Sequence, residues 1–266
     1  MKLDIVDAFI TGNAFSGNPA AVVRAERPLT DSLMQKIAAQ HNLAETAFIW
    51  PLDAAANRWD IRWFSPTTEV DLCGHATLAA AYSLFCDYPA LEQLQFISRR
   101  HGALSVSLRA DGLALDLPIQ TQRLIISPPA QLARAIPAGF REIFLGMDWL
   151  VVYDDAEIVI QAQPDLALIR QLPDRGVILT ATGLGECDFI SRFFAPRIGI
   201  DEDAVTGSAH CALAPYWGVR LEKQRLSAWQ ASARGGLLSM EMSRGRVSLI
   251  GQCRLYSRGW IYLEGS

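Results

Sequence analysis

Glu45 is the side chain in this sequence best suited to moving a proton. It lies within Asn-Leu-Ala-Glu-Thr-Ala-Phe-Ile-Trp (42–50), at a predicted change from helix to strand and beside apolar residues. Partial removal from water raises the pKa of a carboxyl group and suits it to general acid–base catalysis near neutral pH. The alternative, which Glu45 taken alone favours slightly, is an edge carboxylate hydrogen-bonded to a turn.

Two glycine turns, Cys73–His75 and Thr206–Ser208, each lead into a strongly apolar segment. The first backbone N–H groups of a helix have no partner within the helix and carry partial positive charge, so such an end binds carboxylate or phosphate groups. We therefore expect the two turns to hold an anionic substrate between them, in a cleft between domains. The alternative for Gly74 and Gly207 is close packing at a turn.

Asp203 and His75 stand beside these turns. Asp203 directly precedes the second turn, whereas Asp201 and Glu202 read as solvated loop charges. A helix start lowers the pKa of His75, which keeps the ring neutral and able to pass a proton. The alternative for His75 is a capping histidine.

The sequence predicts chemistry without a metal or a cofactor. The four histidines have no His-x-His or His-Glu-x-x-His spacing, and the five cysteines are scattered, with no Cys-x-x-Cys pair. The chain also has no Gly-x-Gly-x-x-Gly after a strand, no Gly-x-x-x-x-Gly-Lys and no Gly-x-Ser-x-Gly. An odd number of scattered cysteines fits a reducing cytoplasm.

The elements that must position these residues are mostly strands. Hydrophobic periodicity predicts three helices, over Asp31–Gln40, His75–Phe85 and Ser208–Leu221. Thr30 is the expected N-cap of the first. The helix over 75–85 is apolar on all sides, and the helix over 208–221 is apolar in its first half. Alternating patterns predict strands over Arg58–Phe64, Ala103–Leu108, Leu113–Leu117, Phe189–Phe194, Leu237–Met242 and Arg246–Ile250. Many antiparallel strands with few helices do not match the β-α-β alternation of nucleotide-binding folds.

An internal repeat predicts two similar domains related by a pseudo-twofold axis. Residues 62–82 and 192–213 both read as a strand, a Phe-x-Pro stop, an acidic loop, a glycine turn and a buried helix. We place the domains at residues 1–120, with a C-terminal strand 259–266 as an optional addition, and at residues 121–258. The alternative is coincidence between two ordinary strand-to-helix turns.

Composition limits the partners. The 266 residues are 50% hydrophobic and 20% charged, which supports a sizeable core, and the formal net charge is −4. A mildly acidic chain has no overall attraction for nucleic acid or anionic membranes. The apolar runs are too short to cross a bilayer, and the N-terminus lacks the pattern of a secretory signal. We expect a cytoplasmic protein with a small-molecule partner.

Taken together, seven motifs resemble the phenazine-biosynthesis PhzF-like isomerases, which share the diaminopimelate epimerase fold. The motifs are Asp7-Ala8-Phe9, Gly12-Asn13, Phe15-x-Gly17-Asn18-Pro19-Ala20-Ala21-Val22-Val23, Asn42-Leu43-x-Glu45-Thr46-x-Phe48 with Arg62-Trp63-Phe64-Ser65-Pro66, Glu69-Val70-Asp71-Leu72-Cys73-Gly74-His75-Ala76-Thr77, and Asp201-Glu202-Asp203-x-Val205-Thr206-Gly207-Ser208-Ala209-His210. The resemblance implies an α+β fold in which each domain wraps a curved, mostly antiparallel sheet around a central helix. A last strand around Trp260–Leu263 would return to the first domain.

The resemblance also implies roles for individual residues. Glu45 would shuttle the proton, with His75, Asp203 and Ser208 assisting. We assign the substrate carboxylate to Cys73, Gly74, Thr206, Gly207 and Asn18. Proteins of this kind isomerise a dihydro-hydroxyanthranilate, and the resemblance also implies a homodimer.

Two departures from the family pattern bear on the substrate. Ala44 stands where Ser commonly precedes the glutamate, and Ala204 stands where Pro commonly follows the aspartate. Racemases and epimerases of the same fold use two cysteines, one at each helix end, but here Thr206 stands opposite Cys73. Because an alcohol cannot act as a thiolate does near neutral pH, a two-thiol racemase is disfavoured. A carboxylate-binding protein without turnover is the other alternative.

Overall fold

A computed structural model describes residues 1–53 and 57–263 of the chain. It is divided into two compact units, Met1–Asp116 with Leu249–Ser266 and Leu117–Ser248. Both units mix helices with sheet, so the fold is α+β, as predicted. Among the helices of the described residues, none combines the length and apolar character needed to cross a membrane.

The first unit is built mainly from strands. Its helices are α1 (Asp31–His41) and α2 (Gly74–Asp87). Its strands are β1 (Lys2–Ala8), β2 (Asn18–Arg24), β3 (Glu45–Asp53), β4 (Arg58–Phe64), β5 (Glu69–Val70), β6 (Gln93–Ser98), β7 (Gly102–Arg109), β8 (Gly112–Pro118), which begins in this unit, and the final strand β18 (Cys253–Trp260).

The second unit has the strands β9 (Arg123–Leu124), β10 (Glu142–Leu145), β11 (Trp149–Val152), β12 (Val177–Thr182), β13 (Phe189–Ala195), β14 (Ile200–Asp203), β15 (Arg225–Gln230), β16 (Gly236–Ser243) and β17 (Arg246–Gly251), which begins in this unit. Its helices are α3 (Ala130–Ala135), α4 (Ala156–Ile160), α5 (Leu166–Arg170) and α6 (Gly207–Leu221), with a 3-10 turn at Pro196–Ile198. The three helices and six strands predicted from periodicity are present, with ends that differ by at most two residues.

Strand pairing repeats in the same order in the two units. In the first, β2 and β18 flank β1 in antiparallel pairs, and β2 is parallel to β3, which is antiparallel to β4. In the second, β11 and β9 flank β10, and β11 is parallel to β12, which is antiparallel to β13. Beyond these, β4 pairs with β5 and β6 as β13 pairs with β14 and β15. The repeat is therefore much longer than the sequence motif that indicates it.

An arginine–glutamate pair recurs at the same place in each repeat. Arg62 donates from Nε and an Nη atom to both carboxylate oxygens of Glu69, at 2.7 Å each, and Arg192 does the same to Glu202 at 2.7 and 2.9 Å. Each guanidinium also lies over the ring two residues later in its strand, at about 5 Å from the centroid. From each glutamate the glycine turn is five residues away, so the longer second loop is taken up before Glu202, where the 3-10 turn lies.

Helix α2 is apolar all round because strands surround it. It packs against β1, β2, β3 and β18, and the small side chains Ala79–Ala81 are fully buried. In α6 the buried face carries Leu213 and Trp217, and the Trp217 ring stacks on Phe189 at 5.7 Å. Burial of both helices fixes their first turns, Gly74–His75 and Gly207–Ser208, as rigid ends.

The final strand corrects one prediction. It is β18, whose residues Cys253–Trp260 pair with β1, rather than a stretch around Trp260–Leu263. Trp260 lies opposite Lys2, and Ile261 N–H donates to the Met1 carbonyl, so β1 has no further residues to pair with. Residues 264–266 of the predicted C-terminal segment lie outside the described residues.

The buried ring of His210 predicts how stability depends on pH. Desolvation lowers its pKa from 6.5 to about 4, even though Nδ1–H donates to the Thr206 carbonyl at 2.8 Å. Between these two values the unfolded chain binds a proton that the native protein does not, so acidification favours unfolding. Between pH 6 and pH 4.5, the free energy of unfolding of His210→Gln should fall less steeply than that of the wild type, by about 1 kcal/mol per pH unit. Urea titrations across this range measure the two slopes, and equal slopes would contradict the buried neutral ring.

Candidate active site

The predicted base lies against the predicted histidine. Glu45 is the first residue of β3, where that strand begins its parallel pairing with β2, and His75 is the second residue of α2. The Glu45 Oε2 atom is 3.3 Å from His75 Nε2, and only 7% of Glu45 and 3% of His75 is exposed. A carboxyl group and an imidazole thus share a site that is almost closed to water.

The hydrogen bonds of His75 determine its tautomer. The Asn18 amide nitrogen, which can only donate, is 3.1 Å from Nδ1, so Nδ1 accepts. Burial lowers the pKa of His75 to about 3, so the ring is neutral near pH 7. A neutral ring that accepts at Nδ1 carries its proton on Nε2, which lies 3.3 Å from Glu45 Oε2 without forming a hydrogen bond to it. The predicted direction of the pKa shift agrees, but its cause is desolvation rather than the start of the helix.

Cys73 completes this first cluster. It is the N-cap residue of α2, and its Sγ lies 3.5 Å from His75 Nδ1. The Cys73 side chain makes no capping hydrogen bond, so it leaves the first N–H groups of α2, including that of Gly74, to other acceptors. In the structure, Asn18, Glu45, Cys73 and His75 are therefore neighbours.

The same cluster contains a set of metal-binding atoms. One ligand atom from each of Glu45, Cys73 and His75 lies within 4.8 Å of the other two, a spacing that can hold a divalent cation. The Nδ1 atom of His75 already accepts from Asn18, whereas Nε2 makes only a 3.3 Å contact with Glu45 Oε2 that is not a hydrogen bond. These three side chains have the chemistry either to transfer a proton or to hold a cation.

A second cluster, in the second unit, surrounds Asp203. The Thr206 hydroxyl donates to Asp203 Oδ2 at 2.6 Å and accepts from the Gln230 amide nitrogen at 3.1 Å. The Gln230 amide oxygen accepts from Thr206 N–H at 2.8 Å, which fixes the orientation of the amide. The Thr206 hydroxyl is thus engaged as both donor and acceptor within the cluster, and an alcohol does not act as a base near neutral pH as a thiolate does. This geometry weighs against the two-thiol type of racemase.

Gln230 is a site residue that sequence reasoning missed. It is fully buried at the end of β15, and its amide nitrogen also donates to the Asp203 carbonyl at 2.8 Å. In the sequence it is one polar residue in an alternating strand, and it belongs to none of the motifs, so no signal marks it. Ser208, which was predicted, is half-buried as the second residue of α6, and its Oγ accepts a hydrogen bond from Arg175 at 3.0 Å.

The structure thus gathers the predicted residues into two groups, one in each unit. Asn18, Glu45, Cys73, Gly74 and His75 lie together in the first unit. Asp203, Thr206, Gly207 and Ser208 lie along one short segment of the second. That the two groups act on one substrate stays a prediction.

Comparison with known proteins is consistent with this combination of fold and site. The family model described as "Phenazine biosynthesis-like protein" (PhzC-PhzF) matches residues 6–259. An uncharacterized isomerase of Pseudomonas aeruginosa is 49% identical over 262 residues, which cover 97% of each chain. A crystal structure of a PhzF-family phenazine biosynthesis protein from Enterococcus faecalis superposes with a TM-score of 0.92 at 42% identity, covering 98% of this chain and 99% of the other.

The wider fold is shared with amino-acid racemases. A probable proline racemase from Agrobacterium radiobacter superposes with a TM-score of 0.60 at 10% identity, over 99% of this chain and 93% of the other, which shows the fold alone. The protein therefore has the racemase and epimerase type of α+β fold. Within that class, the chain belongs to the PhzC-PhzF family of phenazine biosynthesis-like proteins, whose curated members include proteins named as isomerases.

Proposed function

We propose that this protein is an isomerase of a small carboxylate, of cyclic or aromatic type, and that Glu45 transfers the proton without metal or cofactor. The observation that carries the proposal is the 3.3 Å contact between Glu45 and a neutral His75 inside a buried cluster. In such surroundings a carboxylate is a stronger base than in water, because water no longer stabilises its charge.

The proposed step conserves all atoms and electrons. Glu45 takes a proton from a carbon of the substrate, and the C–H electron pair moves into the substrate to form a new double bond while an existing one shifts. The same carboxyl group exchanges its proton with solvent and then delivers a proton to a different carbon. His75 packs against the carboxylate through both steps, and the Asn18 amide holds His75 in place.

The second cluster is proposed to bind rather than to move protons. Asp203 would accept a hydrogen bond from a polar substituent of the substrate, and Ser208 would help the first turn of α6 to hold the carboxylate. This division of roles fits the hydrogen bonds of Thr206, which are committed to Asp203 and Gln230.

Proton NMR in D₂O tests the proposal. The test compound is a dihydro-hydroxyanthranilate, the substrate type that the resemblance implies, and the panel adds further cyclic and aromatic carboxylates. The expected result is conversion to an isomer that contains deuterium at the carbon which received the proton. Binding without isomerisation or exchange, for every compound that raises the melting temperature of the protein, would favour the carboxylate-binding alternative instead.

A cysteine variant separates the proposal from thiol chemistry. Cys73→Ser should retain most of the exchange, since Cys73 only neighbours His75 in this proposal. Loss of exchange in Cys73→Ser together with retention in Glu45→Gln would indicate a thiol base. The effect of Ala44 and Ala204 on specificity, the homodimer and the cytoplasmic location stay predictions.

A further inference from the structure

Arg175 contacts Ser208, and the proposed reaction gives Arg175 no role. One Nη atom of Arg175 donates to Ser208 Oγ at 3.0 Å. The Nε atom donates to Asp148 Oδ1 at 2.8 Å, and the same Nη donates to Asp148 Oδ2. Asp148 is 2% exposed, so its carboxylate is held inside the protein opposite the guanidinium.

The loop around Arg175 is shaped to hold this guanidinium. Both neighbours of Arg175 are tied to Trp149, because Asp174 accepts from the indole N–H at 2.7 Å and the Gly176 carbonyl accepts from the backbone N–H at 3.0 Å. The guanidinium lies 5.2 Å from the centroid of Phe193. A Cβ atom on residue 176 would lie 2.7 Å from that ring, so glycine is required for the loop to approach it. Arg175 is thus fixed by a carboxylate, a ring and two backbone neighbours.

The direction of the Arg175–Ser208 hydrogen bond has a chemical consequence. A guanidinium has only donors, so the Ser208 oxygen is the acceptor and its proton must point elsewhere. Donation from a cation also polarises the hydroxyl and strengthens it as a donor. Ser208 therefore presents an O–H donor beside the first turn of α6.

We propose that Arg175, locked by Asp148, is a positioning residue that fixes the Ser208 hydroxyl as a donor to the carboxylate of the substrate. The inference rests on the proposed function for the identity of the ligand, but it adds how that carboxylate is selected. Arg175 acts through its hydrogen bond to Ser208, and the planar guanidinium is needed to hold Asp148 and Ser208 at once. A positive charge alone at residue 175 is therefore not sufficient for carboxylate binding.

Isothermal titration with 3-hydroxyanthranilate tests the proposal, and 2-aminophenol, which lacks only the carboxylate, is the comparison ligand. Arg175→Met and Ser208→Ala should each weaken binding of 3-hydroxyanthranilate about tenfold and leave binding of 2-aminophenol nearly unchanged. The double variant should bind as weakly as either single variant, because both remove the same hydrogen bond. Arg141→Met, which removes an exposed arginine from an ion pair with Asp154, is the matched control and should bind as the wild type does.

Several outcomes would overturn this role. Arg175→Met weakening the Ser208→Ala protein by a further tenfold would mean that Arg175 acts by another route. Full binding by Arg175→Lys would show that charge is sufficient. Failure of the wild type to bind 3-hydroxyanthranilate, benzoate or acetate would show that Ser208 serves no carboxylate. If Arg175→Met does not fold, Asp148→Asn and Arg175→Lys replace it, and each should reduce the preference for the carboxylate ligand. Isomerisation is measured separately by NMR, so that a failure of the proposed function can be distinguished from a failure of the role proposed for Arg175.

Discussion

Glu45→Gln should lower the turnover number of the isomerisation by about 10²–10⁴-fold, the usual contribution of a general base. Glutamine keeps the shape of the side chain and its contact with His75, but it cannot take a proton. Substrate affinity should therefore change little, so that the loss falls on kcat rather than on KM. Turnover by NMR or absorbance and affinity by calorimetry, on the same preparation, give the two numbers.

Glu26→Gln is the matched control for this experiment, because Glu26 is an exposed glutamate of the same unit. It should leave kcat at the wild-type value. A loss of less than about tenfold in Glu45→Gln would mean that another group is the base. Because burial lowers the pKa of His75, protonation of its ring should not limit activity between pH 5 and pH 7.

Arg192→Met should lower the free energy of unfolding by about 3–5 kcal/mol, the usual result of removing one partner from a buried ion pair. Arg192 is 8% exposed, and its loss would remove the hydrogen-bond donor of other groups besides the Glu202 carboxylate. One Nη atom also donates to the carbonyls of Val159, Ile160 and Ala162, at 3.3, 3.1 and 2.7 Å, at the end of α4. These acceptors would be left buried without their donor.

Urea unfolding measures the effect, and two other arginines calibrate it. Arg62→Met should cost less, because the partners of Arg62 are more exposed, Glu69 at 34% and Asp31 at 75% of the side chain. Arg141→Met removes an exposed pair and should leave the urea midpoint unchanged. An Arg192→Met protein as stable as Arg141→Met would show that the buried pair contributes nothing.

Much of the fold follows from the sequence because two periodicities dominate it. The alternation in Arg58–Phe64 and the apolar run after Gly74 predict their elements directly, since burial on one face or on all sides requires those patterns. The C-terminal strand is different. The bounds of this strand are set by its pairing with β1, at the other end of the chain. No local pattern within Cys253–Trp260 indicates that long-range pairing.

The site divides in the same way. Glu45 and His75 stand out in the sequence because a charged residue next to apolar residues, and a histidine at a helix start, are locally unusual. Gln230 and Arg175 do not, because each acts through contacts with residues 24 and 33 positions away in the chain. The tautomer of His75 is likewise beyond local reasoning, because it depends on Asn18, 57 residues earlier.

The matching order of strand pairs in the two units has an evolutionary consequence. Such a match is what duplication of a half-length ancestral gene produces, and the Arg62–Glu69 and Arg192–Glu202 pairs are what both copies retained. Counted from these glutamates, His75 corresponds to Ser208. Divergence at that one matched position separates an imidazole in one copy from a hydroxyl in the other. Two copies of one sequence would have carried identical helix ends, so the difference between these two ends is a product of divergence.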